Sequence, residues 1–450
     1  MRSRRHGPST QRGVALVVTL VLLLGLSGFV AAYLAISTLE PQISRNLADG
    51  SNARNLAEAG IERGFNVLVA TAEAGRGWSD LLTGATAAHP WVALAGLANT
   101  PVAGATTRGT VSVTIRNDNG PADTALTGLS ATTRPAMDTS PSIDANATVI
   151  MRSAGTFRGV TKTVEVVIRR AAFPALSGAV NIAGLSRNTI IHASTLDIDG
   201  RDHSCAGAGA SCDDPSSWTV TGAPLKYGIV VPRGAEAPVE AALATPAQRD
   251  AVKGKNRTDP SGSYTTGRDT VAGDDAPTAV GIEGFVSALA SNAATTVLES
   301  TRACPLVGSG GGAGATTTAT LANGCGWTST TPLGSRERPR VVFVRGDIAL
   351  DHSLKGAGVL VVRDGHLTSR GDLEWDGLVV VVGRDASMTF TGSGRTIIRG
   401  AAITSDPNGE GAELTIGSSI GSFSIRSSTQ NVEMVQAMRA LHSISNWREL

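Results

Sequence analysis

Residues 11–36 read QRGVALVVTLVLLLGLSGFVAAYLAI, and this stretch decides the N-terminal architecture. A basic leader with four arginines ends in a single Gly13, and an apolar run starts at Val14 without a spacer. A secretory signal peptide carries its small-residue cleavage site after the apolar region, whereas here the small residue at the boundary, Gly13, lies in front of the apolar region. We therefore expect a removable leader, residues 1–13, and a mature protein that keeps the apolar helix.

The apolar run is long enough to cross a membrane as a helix. Residues 14–36 contain no charged side chain, and Glu40 is the first acidic residue of the chain. At about 1.5 Å per residue, such a helix spans a hydrocarbon core of roughly 30 Å. Because the leader carries the nearby arginines, we expect it to stay in the cytoplasm while the bulk of the chain crosses the membrane.

The helical pattern continues beyond the apolar run. Apolar residues recur at helical spacings over residues 43–68 and are interleaved with charged ones, which is typical of an amphipathic helix. We predict one continuous helix over residues 14–74, with an apolar first half and an amphipathic second half. Gly60 and Gly64 would allow either close packing or a local kink.

The composition favours a glycine-rich β architecture. The 450 residues include 39 basic and 38 acidic ones, so the net charge is +1 and no nucleic-acid partner is implied. Glycine is frequent, with 53 residues, and aromatic residues make up only 4%. Such a chain is expected to have many tight turns and few large core anchors.

Residues 75–172 are predicted to form a small α/β head. Strand-like patterns occur at residues 109–115, 147–152 and 162–169, and a hairpin joins the last two. These strands predict a small antiparallel sheet. The sequence AAFP at residues 171–174 marks the boundary with the next region.

Residues 173–426 contain an internal repeat. Valine- and isoleucine-rich clusters, separated by glycine-containing turns, lie at residues 341–344, 359–362, 378–382 and 396–398. Each unit is too small to bury its own apolar face, whereas stacked parallel units share one core. We predict a mainly β domain built as a parallel β-solenoid, and a plain β-sandwich remains the alternative.

The C-terminal residues 427–450 are predicted to form a capping helix. Thr429 is a candidate N-cap, and an apolar stripe follows it, consisting of Met434, Met438 and Leu441. Such a helix would cover the open end of the stacked strands, with Trp447 as its anchor. The whole chain is thus expected to be α+β.

Four cysteines fall into two local pairs. Six residues separate Cys205 from Cys212, and twenty separate Cys304 from Cys325. In an exported chain, each pair is expected to form a disulfide that closes a loop, which would stabilise the folded state by about 2–3.5 kcal/mol. Four free thiols in a cytosolic protein are the alternative, and the membrane segment argues against it.

One carboxylate cluster is a candidate calcium site. Asp197, Asp199 and Asp202 lie around Gly200 in a short loop. Alternating aspartates can direct several oxygens at Ca²⁺, but the glycine comes fourth here and the terminal Glu of an EF-hand loop is missing. Aspartates that bind the turn backbone in a surface loop are the alternative. No other cofactor is expected.

No catalytic site is expected. Residues 417–421 read GSSIG and match G-x-S-x-G, but a nucleophile elbow needs a strand before the serine and a helix after it. The flanking residues are rich in serine and glycine, which predicts a loop.

The N-terminal sequence resembles the type IV pilin superfamily, and more closely its PilX-like minor pilins. The Gly13/Val14 junction is similar to the site where prepilin peptidase removes the leader and the new N-terminus is methylated. Residues 53–62, ARNLAEAGIE, resemble the AEAGIE stretch of PilX-type helices. Residues 148–170 are similar to the sheet of these pilins. The resemblance implies processing at Gly13 and Val14.

One position departs from the family pattern. Most pilins have Glu at the fifth position of the mature chain, where this sequence has Val18. In the family, that carboxylate pairs with a neighbour's N-terminal amine in the filament, and a buried, unpaired ammonium is costly. The resemblance therefore implies a minor, initiating or tip-located subunit on the pilus or cell surface. Its implied partners are other minor and major pilins, prepilin peptidase and, before assembly, the inner membrane. The resemblance also implies that the bulk of the chain lies in the periplasm at that stage.

Two function classes remain open. The first is a pilin-like subunit that exposes a β-rich region for adhesion or assembly, in a type IV pilus or in a type II secretion pseudopilus. The second is a polysaccharide-binding protein or enzyme with a β-helical fold, held by an ordinary signal anchor. A signal peptide cleaved near Ala32 or Ala35 is disfavoured, because the apolar run is long for such a peptide.

Overall fold

The chain is α+β, which confirms the expected class at this level. A computed structural model describes residues 11–73, 77–102, 109–133, 136–184, 186–206, 212, 214–222, 224–258, 263–290, 296–300, 306–308, 318–321, 331–350, 354–384, 386–407 and 411–450. Within these ranges, a long N-terminal helix precedes an antiparallel sheet and two larger sheets with mainly parallel strands.

Helix α1 (Gln11–Glu73) runs without a break through Pro41. Its first half is exposed, and its second half packs on the antiparallel sheet from Asp49 onward. The buried positions recur every three or four residues, as expected of an amphipathic helix. They include Ala53, Leu56, Ala57, Ile61, Phe65 and Leu68.

Glycines let α1 approach the sheet closely. A Cβ on Gly60 would lie 2.1 Å from Oγ of Ser153, and one on Gly155 would lie 2.2 Å from the carbonyl oxygen of Ala53. Gly64 is equally tight, since its Cβ would lie 2.6 Å from the sulfur of Met151. Close packing is therefore the role that Gly60 and Gly64 have here.

The antiparallel sheet forms the head of the molecule. Its first strands are β1 (Val92–Ala93), β2 (Thr100–Pro101), β3 (Gly109–Asn117), β4 (Thr148–Phe157) and β5 (Val160–Arg170), with helix α2 (Asp123–Thr127) between β3 and β4. β3, β4 and β5 pair as a meander, and β1 and β2 pair with β3.

The chain then enters the larger sheets through residues 171–177. The next strands are β6 (Gly178–Ala183), β7 (Ser186–Ile191), β8 (Leu196–Asp199), β9 (His203–Cys205), β10 (Trp218–Val220), β11 (Tyr227–Val231), β12 (Val252–Lys255), β13 (Tyr264–Thr266), β14 (Val271–Gly273), β15 (Thr296–Glu299), β16 (Leu306–Gly308), β17 (Thr318–Leu321) and β18 (Thr331–Pro332). Among the described residues of this part lie the helices α3 (Glu236–Ala242), α4 (Pro246–Asp250) and α5 (Ala279–Ala290).

The repeat region supplies the remaining strands of these sheets. They are β19 (Arg340–Arg345), β20 (Ile348–Leu350), β21 (Leu354–Arg363), β22 (His366–Ser369), β23 (Leu373–Val382), β24 (Ser387–Phe390), β25 (Arg395–Ser405), β26 (Ala412–Ile416) and β27 (Ser422–Ser427). Helix α6 (Thr429–Gln436) and strand β28 (His442–Glu449) end the chain.

Successive strands of the repeat region alternate between two sheets. β19, β21, β23, β25 and β27 lie in the larger sheet, and β20, β22, β24 and β26 lie in the smaller one. All neighbours within these two runs are parallel. β6, β7 and β8 continue the alternation beside β25, β26 and β27, although they come much earlier in the sequence.

The larger sheet is buried on both faces, which explains its uninterrupted valine runs. All ten residues of β23 are buried. One face, including Trp375 and Val379, packs into a core shared with the smaller sheet. The other face, including Val380, packs on α5 and α6 through Phe285 and Val435.

The C-terminal helix is shorter than predicted and lies elsewhere. α6 ends at Gln436, and Ser428, instead of Thr429, caps it by accepting a hydrogen bond from the backbone N–H of Asn431. The helix contacts β21, β23 and β25, so it covers a face of the larger sheet and not the end of the stack.

The last residues form a strand instead of a helix. β28 pairs antiparallel with β5 and completes the head sheet, and Trp447 within it is 50% exposed, so it is not the predicted anchor. The edge of β5 explains the difference, because an open edge offers backbone donors and acceptors to the last segment of the chain.

Candidate functional site

The first half of α1 stands free of the rest of the protein. We call residues 14–48 the stem; their described side chains are almost all exposed, with Val14 at 66% and Val18 at 51%. At about 1.5 Å per residue, the stem is roughly 50 Å long. The most apolar stretch of the stem is not buried by any other part of the protein. By its length and composition, the helix could cross a membrane.

Hydroxyl groups in the stem bond within the helix. Thr19 donates to the carbonyl oxygen of Ala15 at 2.6 Å, and Ser27 donates to that of Leu23 at 2.7 Å. A polar group without a hydrogen-bond partner is unfavourable in a hydrocarbon medium. Hydrogen bonds to the carbonyl oxygens of the preceding turn avoid this unfavourable free energy. Thr19 and Ser27 are therefore compatible with an apolar environment, whereas Glu40 and Arg45 near the end of the stem are charged.

The residues expected at the processing site lie at the beginning of α1. Gly13 and Val14 are within its first turns, and Val18 follows one turn later. The first carboxylate along the described part of α1 belongs to Glu40. No acidic side chain of α1 is therefore close to Val14, and the processing role of Gly13 and Val14 stays a prediction.

The C-terminal segment ties the head to α1. Arg439 donates to Glu62 on α1 at 2.9 Å and bonds Asn66 one turn further on. At the other end of β28, Glu449 accepts a hydrogen bond from Lys162 at 2.7 Å, which lowers the pKa of its carboxyl group. These contacts join β28, β5 and the docked half of α1.

The first of the predicted calcium ligands is held by two cations. Asp197 lies 2.9 Å from Lys253 and 2.9 Å from Arg426, on the neighbouring strands β12 and β27. Burial disfavours its ionised form, but these two side chains hold the pKa of Asp197 below its usual value. Strand pairing thus supplies the positive charge that a metal ion would otherwise bring.

The other two carboxylates face different partners. Asp199 pairs with Arg201 at 2.6 Å, while Asp202 accepts hydrogen bonds from the hydroxyl of Thr221 and the backbone N–H of Thr429. In the part of the chain that the structure describes, no three acidic, histidine or cysteine side chains form a metal-binding group. Asp197, Asp199 and Asp202 therefore do not fit the expected calcium site.

A disulfide closes the loop after β9. Cys205 and Cys212 are bonded, with their Cα atoms 5.8 Å apart. Trp218 packs against them and donates its indole N–H to the carbonyl oxygen of Cys212 at 2.9 Å. The second predicted pair, Cys304 and Cys325, lies outside the described residues.

The G-x-S-x-G sequence forms a turn. Ser419 lies between β26 and β27, and its Oγ accepts a hydrogen bond from the backbone N–H of Gly392 at 3.0 Å. A strand follows this serine, so the helix that a nucleophile elbow requires is missing at this place.

Sequence reasoning missed a buried ion cluster. Arg399 is only 1% exposed and donates to Asp376 at 2.9 Å and to Glu374 at 2.8 Å. The guanidinium also lies 5.0 Å from the ring of Trp218, in cation–π geometry. The available signal was the presence of charged residues at alternating positions inside otherwise apolar strands.

Comparisons with known proteins give little beyond this geometry. No family model and no curated protein matches the chain. Among solved structures, the chain is similar to the competence-associated pilin ComZ from Thermus thermophilus at 11% identity, with a TM-score of 0.24. That match covers 89% of this chain and 98% of the other.

Proposed function

We propose that the protein is a minor pilin-like subunit, of the PilX-like kind, that initiates a type IV pilus or lies at its tip. In this proposal the stem first anchors the subunit in the inner membrane and then packs among the stems of other pilins. The head and the two parallel sheets remain outside, available for adhesion or for contacts during assembly.

The observation that carries the proposal is the division of α1 into two halves. The docked half is held by the head sheet, whereas residues 14–36 of the stem expose an uncharged, mainly apolar surface that is roughly 35 Å long. Water is a poor environment for such a surface, so lipid or other apolar helices must cover it. A subunit that moves from a membrane into a bundle of stems meets both conditions.

The position of Val18 supports a minor role. In the pilins that this chain resembles, a glutamate at this position pairs with the amine of a neighbour, and Val18 provides no such partner. Repeated stacking of this subunit on itself would leave amines unpaired in an apolar medium, which is unfavourable. One or a few copies per filament avoid that situation.

The alternation of strands between two sheets supports a parallel β-solenoid as the exposed region. Each passage through both sheets moves the chain on by one strand, as in a stack of rungs. Such a stack is rigid and presents long, regular faces, which suits a surface that contacts a substrate or other subunits.

Quantitative mass spectrometry of sheared filaments tests the proposal. We expect the wild-type protein to be present at far fewer copies than the major pilin of the same filaments. Val18→Glu should raise its share, because it restores the carboxylate. Leu22→Glu is the matched control, since it places the same charge one turn further along the stem. Absence from filaments, or wild-type abundance equal to that of the major pilin, would contradict the proposal.

A second candidate function is polysaccharide binding by a membrane-anchored protein. It is favoured by a groove of about 350 Å³ on the larger sheet, where Arg395 and Arg426 lie beside Ser422 and Ser424. Guanidinium and hydroxyl groups suit the hydroxyl and carboxylate groups of sugars. Polysaccharide binding that is lost in Arg395→Ala, together with an unprocessed N-terminus, would favour this alternative.

A further inference from the structure

A second cavity carries an unusual concentration of positive charge. Its volume is about 490 Å³, and it lies between the beginning of β19 and the turn that follows α6. Four arginines line it, namely Arg336, Arg338, Arg340 and Arg439. No acidic residue belongs to the lining, so we call this cavity the arginine pocket.

Two of the four guanidinium groups already have partners. Arg336 lies 3.7 Å from Asp376, and Arg439 is held by Glu62 on α1. Because of this second contact, the arginine pocket borders the docked half of α1.

The other two guanidinium groups, those of Arg338 and Arg340, are free. Both side chains are exposed, and neither has a side-chain partner among the residues that the structure describes. Like charges that converge on one cavity repel each other, and an anion relieves this repulsion. Arginine also presents a planar fork that binds carboxylates with two parallel hydrogen bonds. The arginine pocket is therefore suited to a ligand with more than one carboxylate.

The floor of the pocket is apolar and adaptable. Val341, Met434 and Met438 contribute to the lining, together with Ala437 and Ala440. Methionine side chains are flexible and polarizable, so they accommodate apolar groups of different shapes. A ligand that fits both parts carries acidic groups at its ends and an apolar group between them.

An acidic peptide meets this description better than a nucleic acid does. The lining contains no aromatic ring on which a base could stack, although stacking platforms are usual in single-strand binding sites. Two free guanidinium groups are also few beside the roughly 6–10 phosphate contacts that a duplex-binding protein makes.

We propose that the arginine pocket binds an acidic peptide segment of a partner protein. Its carboxylates bind Arg338 and Arg340, and an apolar side chain between them packs on Met434 and Met438. The proposal does not depend on processing of the leader or on assembly into a filament, so it stands or falls separately from the proposed function.

Fluorescence anisotropy with the full chain in non-ionic detergent tests this inference. The probe is a labelled octapeptide of alternating Glu and Leu, and the matched neutral probe alternates Gln and Leu. We expect saturable binding of the acidic probe only, weakened about tenfold or more in the double variant R338Q/R340Q. Thermal unfolding should not change, because both side chains are exposed and unpaired.

The matched control is Arg233→Gln, which removes another exposed arginine at a site outside the arginine pocket, where it lies 3.6 Å from the exposed Asp275. Unchanged binding in this variant supports the assignment. Equal binding of both probes, no effect of R338Q/R340Q, or a loss in Arg233→Gln would overturn it. Tighter binding of a 20-base-pair DNA duplex through Arg338 and Arg340 would overturn it as well.

Discussion

Gly377 and Gly400 lie side by side in register on β23 and β25, and a Cβ on Gly400 would lie 2.0 Å from the carbonyl oxygen of Gly377. Both have positive φ, 129° and 144°, and Gly358 at the same register position on β21 has a φ of 115°. These values favour glycine, because side chains rarely accept them. The stacked glycines therefore let three adjacent strands bend together at one level.

Gly400→Ala should destabilise the parallel sheets. Backbone strain and the close approach of the neighbouring strand together should lower the free energy of unfolding by about 2–5 kcal/mol. Denaturant unfolding followed by circular dichroism measures this change. Gly284→Ala on α5, where a Cβ meets open space, should instead stabilise by about 0.5–1 kcal/mol. Equal effects at the two positions would contradict the role of Gly400.

Gly155→Ala should weaken the docking of α1 on the head sheet. Its Cβ would meet the backbone of the helix at Ala53 and Ala57, and backbone cannot rotate away as a side chain can. We expect a loss of about 1–3 kcal/mol and faster proteolysis of α1 near residue 53. The control is Gly50→Ala, which lies one turn before the contact and faces open space. This variant should make α1 slightly more resistant to proteolysis, because alanine favours the helix. Proteolysis at the wild-type rate in Gly155→Ala would contradict this account.

The buried ion cluster predicts a large difference between two arginines of one strand. Arg399→Met removes the guanidinium that the buried Glu374 and Asp376 share, although Arg336 stays 3.7 Å from Asp376. The loss should destabilise by about 3–5 kcal/mol. Arg395→Met lies on the same face of β25 but removes an exposed guanidinium, so the change should stay within about 0.5 kcal/mol. Thermal unfolding of both variants gives the comparison, and similar midpoints for the two would show that the cluster is not needed.

Two aspartates in the head make stability depend on pH. Burial raises the pKa of Asp118 to about 6 and that of Asp144 to about 6, and the nearby carboxylate of Asp138 adds to both effects. The folded state therefore holds these protons more tightly than the unfolded chain. The stability that they contribute is fully present below about pH 4 and is lost as the pH rises through about 6.

The double variant D118N/D144N tests this dependence. Relative to it, the wild type should lose about 2–4 kcal/mol of stability between pH 4 and pH 7, measured by denaturant midpoints at each pH. Asp275→Asn, at an exposed site, should keep the wild-type slope. A wild type that gains stability relative to D118N/D144N over this interval would refute the assignment.

The elements that rest on local patterns could be predicted from the sequence. Helix α1 follows from an uninterrupted apolar run and from apolar spacing in the residues after it, and both signals are contained in neighbouring residues. The parallel strands could also be predicted, because Val359 and Leu378, which begin two of the predicted clusters, pair with each other. The α+β class follows from these two features.

Register was harder to predict. The repeat pattern aligns residues 396–398 with the earlier valine clusters, whereas Ala401 is the residue that lies beside Leu378. The connections on both sides of β24 are longer than those on both sides of β22, so β25 is shifted relative to the earlier repeats. The spacing of the apolar clusters does not show this difference in connection length.

Features that depend on distant partners could not be predicted. β28 is a strand because it pairs with β5, far away in the sequence, and its own residues do not indicate that edge. The alternating aspartates predict a metal site at Asp197, whereas the structure brings Lys253 and Arg426 to this carboxylate through the pairing of β8 with β12 and β27. Non-local pairing thus changed both the end of the fold and the chemistry of the candidate calcium loop.

The N-terminus of the mature protein is the most direct test of the central claim. Intact-mass measurement of the protein, extracted from membranes of cells that have prepilin peptidase, determines where the chain begins. The proposed pilin-like role predicts a chain that starts at Val14 and carries one methyl group on its amine. A chain that starts at Met1, or at a residue just after Ala32 or Ala35, would contradict it.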